Sequence, residues 1–207
     1  MIPVKVLALR YLPGASAELC RALGAEAGYQ SLAMLTTDCD DATYIALDAA
    51  TKAADAQVCY ARSFYAGAGN ASTPHAGEVI GILAARTPGA VRSAMEAAVW
   101  QLKHLGFSQT HNVPFLAHTV SSVGSFLAEE AGVAPGTALS YLIAPPLEGM
   151  YAMDYALKAA DVRLVKLYAP PSETNFGGGL LSGTQSACEA ACAAFAAAGE
   201  EVASRPV

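Results

Sequence analysis

A twelve-residue segment of this chain returns about 106 residues later. Tyr44-Ile45-Ala46-Leu47-Asp48-Ala49-Ala50-Thr51-Lys52-Ala53-Ala54-Asp55 comes back as Met150-Tyr151-Ala152-Met153-Asp154-Tyr155-Ala156-Leu157-Lys158-Ala159-Ala160-Asp161. Asp48 thus falls on Asp154, Lys52 on Lys158 and Asp55 on Asp161. Solenoid units repeat at roughly 20–50 residues, so this spacing is too long for one. It is the size of a whole small domain. The repeat predicts two copies of one fold in tandem, 1–106 and 107–207, and duplicated small domains lend themselves to ring assembly.

Composition agrees with burial against other copies. Hydrophobic residues make up 54% of the chain and charged residues 14%, against roughly 25% charged in an ordinary soluble domain. That leaves little charge for a fully solvated surface. The net charge is −6 and no basic cluster occurs, which argues against nucleic acid and anionic membranes as partners. No run of 18 apolar residues exists to span a bilayer. Lys5 and Arg10 interrupt the first apolar stretch, so no signal peptide is expected. Five cysteines at unrelated spacings suit a reducing cytosol. Cys188 and Cys192, at i and i+4 among alanines, read as core residues. No His or second Cys pair completes a zinc site, and no metal or cofactor is expected.

Each copy reads as α+β. In the first, strands are predicted at 2–9, 31–36, 58–60 and 78–83. A helix follows Asp40-Asp41, with Ala42, Ile45, Ala46, Ala49, Ala50 and Ala53 on one face, and Pro88 opens a second helix running to Leu102. In the second copy, strands are predicted at 115–120, 139–143, 164–168 and around Leu180-Leu181. Helices are predicted at 125–130, after Pro145-Pro146, and at 185–198. A linker is expected at 106–114, where apolar periodicity lapses. The architecture implied is a small sheet with two main helices packed on it, twice.

Three features could carry chemistry. At the repeat offset Asp40 and Asp41 become Pro146 and Leu147, so the fold itself does not demand carboxylates there. They could serve as helix caps, worth roughly 0.5–2 kcal/mol, or as ligands for a cation. Glu78 enters a strand, where an acid is disfavoured unless exposed or paired. Two stretches rich in glycine, 62–75 and 170–179, differ most between the copies. They read as loops free to rearrange, or as plain strand connections, and neither has the GxxxxGK[ST] phosphate pattern. An enzyme would need a reactive constellation. The candidates, Cys39 beside Asp40 and His118 beside Thr119, form no nucleophile–base pair or metal set, so no catalytic residue is expected. A soluble metabolite-binding regulator would account for the repeat and the acids but not for the apolar surplus.

The stretch from Ser31 onward resembles the EutL family of ethanolamine-utilisation microcompartment shell proteins. The blocks that carry the likeness include SLAMLTTDCDDATYIALDAATKAADAQVCYARSFYAGAGNAS, AGEVIGILA, FLAHTVSSVGS, YLIAPPLEGMYAMDYALKAADV and PPSETNFGGGLLSGTQSACEAAC, in that order. One block departs from the family pattern: Ser121-Ser122-Val123-Gly124 lacks an expected arginine.

The resemblance implies two circularly permuted microcompartment-shell (BMC) domains per chain, and a homotrimer forming a pseudohexamer that tiles with other shell proteins in the cytoplasm. It implies a central pore gated by Phe64, Tyr65, Gly67, Gly69 and Asn70 of one loop and Glu173, Asn175, Phe176, Gly177 and Gly178 of the other. It also implies a small pore in each subunit that binds ethanolamine through Asp40, Asp41, Glu78, Phe107 and Thr174. Related tandem shell proteins of propanediol or ethanol compartments are the alternative within this class.

Overall fold

The computed structural model describes residues 1–64, 78–170, 172 and 176–205. The chain divides into two compact units. The N-terminal unit comprises Pro3–Leu105 with Gly124–Leu127. The C-terminal unit comprises Met1–Ile2, Gly106–Val123 and Ala128–Val207.

The N-terminal unit holds β2 (Val6–Leu12), α1 (Ala17–Ala22), β3 (Ser31–Thr37), α2 (Asp40–Ala53), β4 (Ala56–Phe64), β5 (Glu78–Ala85) and α3 (Pro88–Leu102), following the two-residue β1 (Ile2–Pro3). Its sheet runs β2-β3-β5-β4, antiparallel throughout. Strand alternation divides β3 between two layers. Leu32 and Met34 face a cluster with Cys20, Tyr29 and Ile82 beside α1. Thr37, of opposite parity, faces α2, where its hydroxyl meets Thr43 Oγ1 at 2.7 Å. Helices α2 and α3 pack together on that second face.

The C-terminal unit repeats the order with β6 (Gly106–Thr110) added at the front: β7 (Val113–Val120), α4 (Ser125–Ala131), β8 (Ala138–Ala144), α5 (Pro146–Ala159), β9 (Val162–Tyr168), β10 (Gly177–Gly183) and α6 (Gln185–Ser204). Its sheet order is β1-β6-β7-β8-β10-β9, which contains the first unit's order strand for strand. Helices α5 and α6 cover it through Leu142, Met153, Ala156, Leu181, Cys192 and Phe195. Helices α2 and α5 match at the 106-residue offset at both ends, and each stops at an alanine in extended conformation, Ala54 and Ala160.

Three sequence expectations change. The segment 106–114 is no linker: β6 and β7 form a hairpin, with Thr110 opposite Val113 and both turn residues, His111 and Asn112, at positive φ. That is the geometry of a two-residue primed turn. Helix α1 was not anticipated; it is only six residues long, started by Ser16, whose Oγ accepts from Leu19 N at 3.2 Å. Gly177 and Gly178 lie in β10 and are buried, paired with Ala144 and Ile143, so the second loop ends at Phe176.

Candidate functional site: the acidic start of helix α2

Three consecutive elements converge on the N-terminus of α2. β3 ends at Thr37, whose hydroxyl ties down the turn that leads into α2; Cys39, at the N-cap, offers no side-chain cap of its own. Thr37 Oγ1 accepts from Cys39 N at 3.3 Å, while Thr43 Oγ1 donates to Cys39 O at 2.7 Å. Asp38 is engaged elsewhere, accepting from Lys5 N at 2.7 Å. Asp40 and Asp41 then form the first turn, each only 7% exposed. Asp40 Oδ1 accepts from Asp41 N at 2.9 Å, so part of the expected capping role is real.

Capping is not the whole account. Burial raises the pKa of the Asp40 carboxyl above its ordinary value, opposed by the Ser63 hydroxyl, nearby backbone N–H groups and the Asp41 side chain. Ser63 Oγ is itself buried and forms no well-aligned hydrogen bond among the described residues. A desolvated acid whose neighbouring hydroxyl is poorly aligned is a costly arrangement unless something else engages the pair. Its chemistry suits a small group carrying positive charge and a hydroxyl: carboxylate for the cation, serine hydroxyl as donor or acceptor.

Glu78 is half-buried at the first position of β5, opposite Phe64, one residue beyond the Ser63–Val79 pair. Sheet register therefore brings Ser63, Phe64 and Glu78 to one end of the N-terminal sheet, the end from which the connection 65–77 leaves. Phe64 is partly exposed there. Ser63 escaped the sequence reading, because a lone serine in a strand carries no signal until its register is known.

Phe107 belongs to the C-terminal unit. It is 1% exposed on β6, with its ring 5.9 Å from that of Phe176. Ser172 Oγ donates to Phe176 O at 2.7 Å. Thr174, with Tyr65, Gly67, Gly69, Asn70, Glu173 and Asn175, lies outside the described residues.

The glycines of β10 serve close packing. A Cβ on Gly179 would strike the Lys166 carbonyl, and one on Gly149 of α5 would lie 2.5 Å from Gly177 O. Gly178, at φ +152, would strike Leu142 O. Cys39, the nearest thiol to the acids, is fully buried, and burial followed by the charge of Asp41 pushes its pKa well up. It is held as an inert thiol.

Two α+β units with one strand order stand in tandem on this chain, and the comparisons with known proteins give that arrangement its class, a tandem microcompartment-shell protein. The family model for the BMC domain matches residues 31–114. Over 211 aligned residues the chain is 52% identical to the bacterial microcompartment shell protein EutL of Clostridium perfringens (strain 13 / Type A), covering 100% of this chain and 97% of that one. The crystal structure of ethanolamine utilization protein EutL from Leptotrichia buccalis C-1013-b superposes with a TM-score of 0.93 at 51% identity, covering 100% and 97% of the two chains. A trimeric bacterial microcompartment shell protein, PduB, shares the fold at a TM-score of 0.82 and 19% identity, over 95% of this chain and 88% of that one.

The chain belongs to the EutL family of bacterial microcompartment shell proteins. It is a structural protein of the microcompartment shell, in the setting of ethanolamine utilisation, and not an enzyme.

Proposed function

We propose that three copies of this chain form a disc-shaped pseudohexamer in the shell, that 1–106 and 107–207 are its two shell domains, and that each subunit binds ethanolamine. The Asp40 carboxylate takes the ammonium group and Ser63 the hydroxyl, with Asp41, Glu78, Phe107 and Thr174 completing the ligand set that the family resemblance implies. The loop residues that the family resemblance implies, Phe64, Tyr65, Gly67, Gly69 and Asn70 with Glu173, Asn175 and Phe176, gate a larger central pore, and bound ligand favours its closed form.

The observation that carries this reading is the buried Asp40 beside the buried Ser63 hydroxyl, which has no well-aligned partner among the described residues, in a chain 52% identical over its full length to a EutL shell protein. The helix that repeats α2 starts with Pro146 and Leu147, so carboxylates are dispensable to the fold and their retention in one copy calls for a ligand. Full-length identity to ethanolamine utilization protein EutL also favours ethanolamine as the compartment's substrate, since the likeness to PduB is one of fold.

Titration calorimetry with ethanolamine tests the site. Asp40→Asn keeps size and removes charge, and should weaken binding at least about tenfold, the equivalent of about 1.4 kcal/mol. Ethanolamine affinity equal in Asp40→Asn and the unsubstituted protein would overturn the assignment.

A further inference from the structure

Helices α2 and α5 match in length and in how they end, yet the chain enters them differently. Two residues, Asp38 and Cys39, join β3 to α2, whereas Pro145 alone joins β8 to α5. Cys39, at the N-cap, stands at φ −149 and ψ 111; Pro145 stands at φ −52 and ψ 159. A proline ring holds φ near −65°, so the second copy cannot take the first copy's entry.

Two threonines hold that first entry. Thr37 and Thr43 are both fully buried, with their hydroxyl oxygens 2.7 Å apart. They grip Cys39 from both sides: its N–H donates to Thr37 Oγ1 at 3.3 Å, and Thr43 Oγ1 donates to its carbonyl at 2.7 Å. When Thr37 donates to Thr43, the circuit from Cys39 N–H to Cys39 C=O closes, each hydroxyl donating once and accepting once. Hydrogen bonds chained in this way polarise and strengthen one another. Thr37 Oγ1 also lies 3.0 Å from Cys39 O, an alternative acceptor for its hydrogen.

The second copy has neither hydroxyl. Ala144 ends its strand as Thr37 does in the first copy, and Gly149 takes the helix position of Thr43. A side chain there has no room, since a Cβ on Gly149 would stand 2.5 Å from Gly177 O. Helix α5 therefore begins against bare backbone, and forms without the clasp. Like the carboxylates of Asp40 and Asp41, the clasp is dispensable to the fold, and it occurs in the copy that carries them.

We propose that Thr37 and Thr43 are positioning residues for the cation site at the start of α2. Cys39 C=O and Asp40 N–H belong to one planar peptide unit. Fixing that carbonyl fixes the plane from which the Asp40 side chain departs, so the clasp aims the carboxylate. Buried acids need such support, because ligand groups held by a rigid outer layer of hydrogen bonds bind in one geometry. The inference rests on the ethanolamine reading above and names what holds its acid in place.

Titration calorimetry with ethanolamine on the full chain tests it, using Thr37→Val and Thr37→Ser. Valine keeps the size and leaves Cys39 N–H without its acceptor, and affinity should fall at least about fivefold. Serine restores the hydroxyl and should bind as the unsubstituted protein does. The loss in Thr37→Val should be largest at pH values where Asp40 is ionised and shrink where it is protonated, because the misplaced group is the charge. Unchanged affinity in Thr37→Val beside a weakened Asp40→Asn would overturn the positioning role and leave the binding site standing. A serine variant as weak as the valine one, or a loss equal at every pH, would overturn it too. Equal affinity in Asp40→Asn and the unsubstituted protein would overturn the site itself, and this inference with it. If Thr37→Val does not fold, Thr43→Val decides. It leaves Thr37 free to donate to Cys39 O and should still weaken binding about threefold; full affinity there would overturn the proposal.

Discussion

The Asp48 carboxylate holds Gly124 from 76 positions away in sequence, accepting its N–H at 2.8 Å through Oδ2. The same group takes Leu127 N–H through Oδ1 and stands 3.3 Å from Lys52 Nζ. Helix α4 is preceded by Gly124, which has no capping side chain, and Asp48 supplies the cap from another helix. This is how a piece of the second half of the sequence becomes part of the first unit.

Removing that carboxylate leaves two buried N–H groups unpaired. Asp48→Ala should therefore cost about 3 kcal/mol, read as a lowered urea midpoint. Asp154→Ala, at the repeat position, should leave the midpoint of the dissociated chain unchanged, because its side chain is exposed there.

Gly124 admits no side chain. An added Cβ would collide with Thr51 Oγ1 and lie 2.7 Å from the Asp48 carbonyl. Gly124→Ala should cost about 2 kcal/mol, and pairing it with Thr51→Ala should recover only part, since the backbone collision persists. Urea unfolding of the single and double variants measures both effects.

Asp40 gives a pH signature. Its folded-state pKa is raised, mainly by burial, so the stability that its protonated form contributes is complete below the ordinary value of 3.8. That contribution is lost as pH rises through the folded value. Asp40→Asn should match the unsubstituted protein in acid and gain on it towards neutral pH. Ethanolamine binding needs the charged carboxylate, so affinity should rise with pH across the same window. Denaturation midpoints and calorimetric titrations at a series of pH values check the two halves.

The thiols should be quiet. Burial raises Cys39 well above the ordinary thiol value and Cys59 to about 11. Neither should react with a thiol-selective reagent at pH 8 in the folded chain, and both should react promptly in urea. Fast labelling of native Cys39 would contradict the inert-thiol account.

Much of this was legible in the sequence because it lay in local pattern. The apolar spacing of α2, Pro88 opening α3 and the repeat itself report on neighbours a few residues away, or on duplication. The hairpin at 106–114 was not legible, since His111-Asn112 lacks the glycine that usually marks a primed turn. The glycines of 177–179 read as flexibility when they serve close approach of strand to helix and strand to strand, a distinction only packing can make. Asp40 stood out by its failure to repeat, whereas Ser63 gains its meaning from register and burial. Asp48 was seen as half of a repeated pair, but its partners lie 76 and 79 residues away.

The native mass in dilute buffer tests the central claim most directly. The account predicts an assembly of three chains, three times 21.2 kDa or 63.6 kDa, with no larger closed species until flat sheets form on concentration. A stable mass of one or two chains at the same concentrations would contradict the pseudohexamer.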